Sequence, residues 1–189
     1  MRYFLLPLLV SLVACSSNEQ STGVPSQETP EPATQARDFS DPDQEVYNVA
    51  LLVMDGVYNT ELTAPYDIFQ HTIFREGIRP MQTFTVAEDR DVVTTFEGMR
   101  ILPDLGYLTD SLPRIDILVV PSAEHHLDTD LENEELLDFI RHVDREAMFM
   151  TSHCDGAFVL AAAGVLNGHV STTFPSDIDK MRAKFPHLD

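Results

Sequence analysis

Apolar and polar positions alternate along the chain in two kinds of block, short unbroken hydrophobic runs and longer amphipathic ones. Val49 to Met54 (Val-Ala-Leu-Leu-Val-Met) contains no polar residue, the pattern of a strand covered on both faces. Asp55-Gly56 closes it. Leu62, Tyr66, Ile68, Phe69, Ile73 and Phe74 then recur at helical spacing, with Thr60 placed to cap a helix from Glu61 onward. Gln82 to Ala87 alternates as a strand, and Val92–Thr95 with Met99–Leu102 reads as a short hairpin. Ile115 to Val120 is a second buried strand, closed by Pro121-Ser122-Ala123. Leu131 to Arg145 is amphipathic, with Leu136, Leu137, Ile140 and Val143 on one face. Ala147 to Thr151 reads as a third buried strand. Phe158 to Ala163 is a helix of small apolar residues with Gly164 as its stop, and Ser176 to Lys184 is a last short helix.

Strands alternating with helices predict an α/β fold, a three-layer flavodoxin-like sandwich around a mainly parallel sheet. Sites in such sheets form at the carboxyl ends of strands. The domain is expected over residues 46–189, and no internal repeat is visible. Ahead of it, Ser16 to Gln44 is rich in Ser, Thr, Pro, Gln and Glu, carries Pro25, Pro30, Pro32 and Pro42, and has Phe39 as its aromatic residue. Such a stretch buries too little apolar surface to offset its ordering entropy, so residues 15–45 are expected to act as a flexible tether.

The first residues have a different pattern. Arg2 precedes an apolar run from Phe4 to Val13, which is shorter than the roughly 20 residues needed to span a bilayer. It ends in Leu12-Val13-Ala14-Cys15, which resembles the lipobox of bacterial lipoproteins. The resemblance implies that residues 1–14 are a signal peptide cut before Cys15, and that the Cys15 thiol is acylated. Ser16, where an inner-membrane retention signal would place Asp, favours the outer membrane facing the periplasm. The expected location is therefore the bacterial cell envelope, with the membrane engaged through the lipid anchor alone. Several acyl chains, at about 0.8 kcal/mol per buried CH₂, hold a protein essentially for good.

Charge and cysteine count narrow the chemistry. Lys and Arg number 12 against 31 Asp and Glu, a net charge of −19 that becomes −20 without Arg2. Such a surface repels phosphates, which argues against nucleic acid as a partner. The chain has 2 Cys. With Cys15 acylated, Cys154 has no partner for a disulfide and is either a small buried hydrophobe or a reactive group.

The setting of Cys154 separates those readings. The third strand runs into Ser152-His153-Cys154-Asp155-Gly156-Ala157 and directly into a helix, which is the nucleophile-elbow arrangement. Gly156 and Ala157 supply the small neighbours such a turn needs. A helix N-terminus facing the sulfur is expected to lower the thiol pKa. Glu61 opens the helix after the first strand, from where its carboxyl can reach the sulfur in a doubly wound sheet. The N–H groups of Ser122, Ala123 and Asp155 are candidates for an oxyanion hole. His125, His126 and His153 are candidate general bases, His153 at a turn that directs it away from its neighbour. Glu124, His125, His126 and Asp128 stand too close together to ligate a metal, and neither a metal nor a cofactor is expected. His71, His142 and His169 read as surface or helix residues.

The elbow Cys154-Asp155-Gly156-Ala157-Phe158-Val159-Leu160-Ala161, followed by Ala163-Gly164-Val165-Leu166-Asn167-Gly168, resembles the ThiJ/PfpI superfamily, with its class I glutamine-amidotransferase-like fold. Isonitrile-hydratase-like members and the sensor domains of AraC-type regulators are the nearest branches. Glu61-Leu62-Thr63-Ala64-Pro65-Tyr66-Asp67-Ile68-Phe69 matches the segment that sets an acid beside the family's nucleophilic Cys. The resemblance covers Val46 to the C-terminus. It implies that Cys154 attacks an electrophilic carbon in a small-molecule substrate, that Glu61 tunes it, and that a homodimer forms. It departs in three places. Pro121-Ser122-Ala123 stands where the family usually has Pro-Gly-Gly. Thr172-Thr173-Phe174 stands where a His often completes a Thr-Thr-His stretch, so no third triad member carries over. The chain stops at Phe185-Pro186-His187-Leu188-Asp189, where relatives continue into another strand and a helix; a fragment or shortened member with an open sheet edge is the expectation. The functional reading is a cysteine-dependent hydrolase- or lyase-like enzyme; a ligand-binding or redox-sensing module using the same pocket is the alternative.

Overall fold

The computed structural model describes residues 45–188. The unbroken apolar runs become the central strands, because only a position covered on both faces buries every side chain of such a run. Strand β1 (Tyr47–Leu52) lies in the middle and is flanked by β2 (Met81–Ala87) and β6 (Ile117–Val120). The short β5 (Leu105–Gly106) extends the sheet beyond β2, and β7 (Phe149–Ser152) extends it beyond β6. The order is β5-β2-β1-β6-β7 and every pairing is parallel. A separate antiparallel hairpin joins β3 (Val93–Thr94) to β4 (Arg100–Ile101).

Helices cover both faces, giving the three layers. On one face, Ala50, Leu52, Phe84, Val86, Leu118 and Val120 pack against α2 (Glu134–Asp144) and α3 (Gly156–Ala162). On the other, Val49, Leu51, Val53, Ile117 and Val119 pack against Leu62, Tyr66 and Phe69 of α1 (Asn59–Gln70). Helix α4 (Ile178–Lys184) sets Met181 against Ala157, Phe158 and Ala161 of α3. Gly164, with φ +83°, ends α3 as the sequence implied.

The structure corrects several sequence expectations. Helix α1 begins at Asn59, and its cap position is Tyr58 without a side-chain bond, so Thr60 is not the cap. Ile68, within α1 but six residues from Leu62, lies off the buried face, and Ile73 and Phe74 are exposed in a 3-10 turn over His71–Phe74 that ends the helical spacing. Strand β2 is buried on both faces through Thr83 and Thr85 and does not alternate. Strand β7 is not buried: among the described residues it borders β6 alone, and Phe149 is 58% exposed. The lipobox with Cys15, the signal and the tether lie outside the described residues. Among the described residues, no helix is long and apolar enough to cross a membrane.

Candidate active site

The loops that leave β1, β6 and β7 at their carboxyl ends are bonded to one another. Glu124 N–H donates to the Gly56 carbonyl at 3.0 Å and Tyr58 N–H to the Ser122 carbonyl at 3.1 Å. Gly56 has φ +71°, and a Cβ there would come within 2.6 Å of Glu124 Cβ, so the close approach of the first two loops requires glycine. His153 N–H donates to the Val120 carbonyl at 2.9 Å and ties in the third loop.

Cys154 sits at the apex of that third loop with φ 50°, the one non-glycine residue with positive φ among the described residues. An L-residue held in the left-handed region is strained, and such strain clusters at functional turns. The turn from β7 into α3 is tight enough that a Cβ on Gly156 would lie 2.1 Å from the Val120 carbonyl oxygen. The elbow expected from the sequence is thus present in backbone geometry. The thiol is free and partly buried.

Glu61 reaches this point from the first turn of α1. Its Oε2 accepts from Ser122 N–H at 2.8 Å, which places a partly buried carboxylate beside the elbow. That bond occupies the Ser122 N–H, one of the expected oxyanion donors. Asp155 N–H, another, donates to the Ser122 hydroxyl at 2.8 Å. Ala123 is fully buried, and its N–H has no partner among the described residues.

The histidines separate. His125 is exposed and faces Asp128 at 3.3 Å. His153 is exposed. His126 turns inward: it is 8% exposed, its Nδ1 bonds the Ala123 carbonyl, and its Nε2 lies 3.3 Å from Asp155 Oδ2. His125 and Asp128 thus face each other, while His126 is turned to Asp155. Asp155 also accepts from Thr173 Oγ1 at 2.6 Å and from Phe174 N–H at 3.2 Å, so its carboxylate binds the elbow to the 172–174 loop.

Electrostatics correct one expectation. Burial pushes the Cys154 thiol pKa up and the charge on Glu61 adds to the rise, while the nearby Ser122 hydroxyl and Asp155 N–H oppose it. Helix α3 is only 7 residues long and does not reverse the balance. Burial also raises the Tyr58 hydroxyl, with Glu61 and Cys154 contributing. Tyr58, packed on Phe96 at 4.8 Å between ring centroids, and Thr173 are neighbours of the site that sequence patterning did not single out. Both sit in loops, where periodicity carries no signal.

The DJ-1/PfpI family model matches residues 47–187 of this chain. The chain belongs to the DJ-1/PfpI family. It is 31% identical over 125 residues to an isonitrile hydratase of Pseudomonas putida, covering 66% of this chain and 51% of that one. The chain thus spans about half the length of that hydratase. A deglycase of Pyrococcus abyssi is 28% identical over 133 residues, 70% of this chain and 75% of its own. Among solved structures, a ThiJ/PfpI family protein from Pseudomonas syringae superposes with a TM-score of 0.54 at 27% identity, over 68% of this chain and 50% of that one. DJ-1beta of Drosophila melanogaster gives a TM-score of 0.62 at 17% identity, over 76% and 72%, a likeness of fold. DJ-1/PfpI relatives thus include enzymes, a hydratase and a deglycase among them.

Proposed function

We propose that the protein is a cysteine-dependent hydrolase- or lyase-like enzyme acting on a small electrophilic substrate, with Cys154 as nucleophile. The observation that carries this is the positive φ of Cys154 at a strand-to-helix turn where Gly156, two residues on, has no room for a side chain. In the carbonyl case Sγ forms a bond to the substrate carbon, the π pair moves to oxygen, and the thiol proton ends on that oxygen. Water then bonds to the carbon as the C–S bond breaks, and one of its protons returns to sulfur. The net change is addition of one water. Ala123 N–H and the groups around Ser122 and Asp155 steady the developing negative charge. Glu61 fixes the β6 loop through Ser122 N–H and sets the charge that the thiolate meets.

The raised thiol pKa favours one second reading, a ligand-binding module in which Cys154 does not turn over. Turnover of a panel of isonitriles and activated carbonyl compounds by wild type and Cys154→Ser separates the two. The enzyme reading expects hydrolysis or hydration of at least one compound and its loss, by at least about a hundredfold, in Cys154→Ser. Equal binding with no turnover in both proteins supports the module.

The amino-terminal pattern supports a lipid anchor at Cys15 and an outer-membrane location facing the periplasm. Metabolic labelling with radiolabelled palmitate is expected to mark the wild type and not Cys15→Ser, and the variant is expected to leave the membrane fraction. Label that persists in Cys15→Ser contradicts this.

A further inference from the structure

Ser122 is fully buried at the end of β6, and its three polar groups are unequally engaged. Its N–H is held by Glu61 Oε2 at 2.8 Å. Its hydroxyl oxygen accepts from Asp155 N–H, also at 2.8 Å, which fixes the oxygen in place at the elbow and polarises its O–H bond. The hydroxyl proton is the poorly placed one. Its acceptor, the His153 carbonyl, is 3.4 Å away, well beyond the 2.5–3.0 Å typical of an O–H···O bond. A buried hydroxyl with a satisfied oxygen and an under-used proton, between the residues on either side of Cys154, is a donor waiting for an acceptor.

We propose that the Ser122 hydroxyl is a hydrogen-bond donor to the Cys154 thiolate, formed by rotation of its O–H about the Cβ–Oγ bond when the sulfur ionises. The inference rests on the reading of Cys154 as a nucleophile. Asp155 N–H and Glu61 hold the oxygen and the backbone on opposite sides of the residue. The hydroxyl already acts on the thiol in the direction that favours the thiolate, against burial and Glu61. Pro-Ser-Ala in the place of Pro-Gly-Gly therefore substitutes a side-chain donor for backbone freedom.

Site-resolved alkylation of the full-length protein by iodoacetamide, read by peptide mass spectrometry at Cys154 across pH, tests this in wild type, Ser122→Ala and Ser122→Gly. Circular dichroism melts establish that each variant is folded, and the glycine variant keeps the test open if a methyl group disturbs the turn. The expected result is alkylation about fivefold slower at neutral pH in the folded variants, with the pH profile displaced upward, on the scale of one hydrogen bond. A purely structural Ser122 would change the melt and leave the profile in place, which overturns the proposal. Faster alkylation in the variants also overturns it, since the hydroxyl would then be shielding Asp155 N–H. A wild-type Cys154 inert at every pH overturns this inference and the nucleophile reading together; a reactive wild type with unmoved variants overturns this inference alone.

Discussion

At Cys154 a side chain is held where glycine would be comfortable. The left-handed region costs an L-residue about 1–2 kcal/mol, and Cys154 has φ 50°. Cys154→Gly is therefore expected to be more stable than Cys154→Ala by about 1 kcal/mol, or about 3 °C in melting temperature for a domain of this size. Differential scanning calorimetry of the two variants checks this, and equal midpoints would mean that the elbow stores no strain. The residues that make up the site differ in how readable they were. Cys154 and Glu61 stood out because a turn and a helix start follow apolar runs. His126 was one of three candidate bases, and its inward turn could not be read because it depends on a contact with Asp155, which is 29 residues away in sequence and invisible to spacing. The Ser122 side chain was overlooked because Pro121-Ser122-Ala123 reads as backbone donors, whereas Ser122 N–H is already bonded to Glu61 and its hydroxyl accepts from Asp155 N–H.

At the scale of elements, the elbow depends on packing that leaves no room. Gly156→Ala would place a methyl group against the Val120 and Pro121 backbone, which cannot withdraw as a flexible side chain would. The expected cost is about 3 kcal/mol, the upper end for an overpacked site, measured by urea denaturation. Thr173→Val removes the 2.6 Å bond to Asp155 inside a buried network and is expected to cost about 1–2 kcal/mol by the same measurement. The long apolar strands were legible because β1 and β6 are buried on both faces. The two-residue β5 was not, since Leu105–Gly106 offers no period to detect. Strand β7 has the apolar composition of an inner strand but holds an edge position, and edge or centre is decided by the partners, not by the strand's own residues.

At the scale of the whole molecule, charge and cavities matter most. A net charge of −19 implies self-repulsion, so the melting temperature is expected to rise between roughly 0.01 M and 0.5 M NaCl as the screening length falls from about 30 Å to a few ångströms. No change would mean that the acids are spaced beyond each other's reach. A cavity of about 660 Å³ lies between Tyr107, Leu112 and the Phe139 face of α2, and Cys154 is not among the residues that line it. Topology brings the site together: β1 lies between β2 and β6, and the loops after β1, β6 and β7 carry Glu61, Ser122 and Cys154 to one end of the sheet.

The central claim is a partly buried thiol whose ionisation is opposed first by burial and then by the charge on Glu61. Alkylation of Cys154 by iodoacetamide as a function of pH, in wild type and Glu61→Gln, tests it most directly. Gln retains an acceptor for Ser122 N–H and removes the negative charge. Because burial and that charge both disfavour the thiolate, the wild-type midpoint is expected above that of free cysteine, about 8.5, and the Glu61→Gln midpoint below the wild-type one. Coincident profiles in the two proteins, or a wild-type midpoint at or below that of free cysteine, would contradict the account.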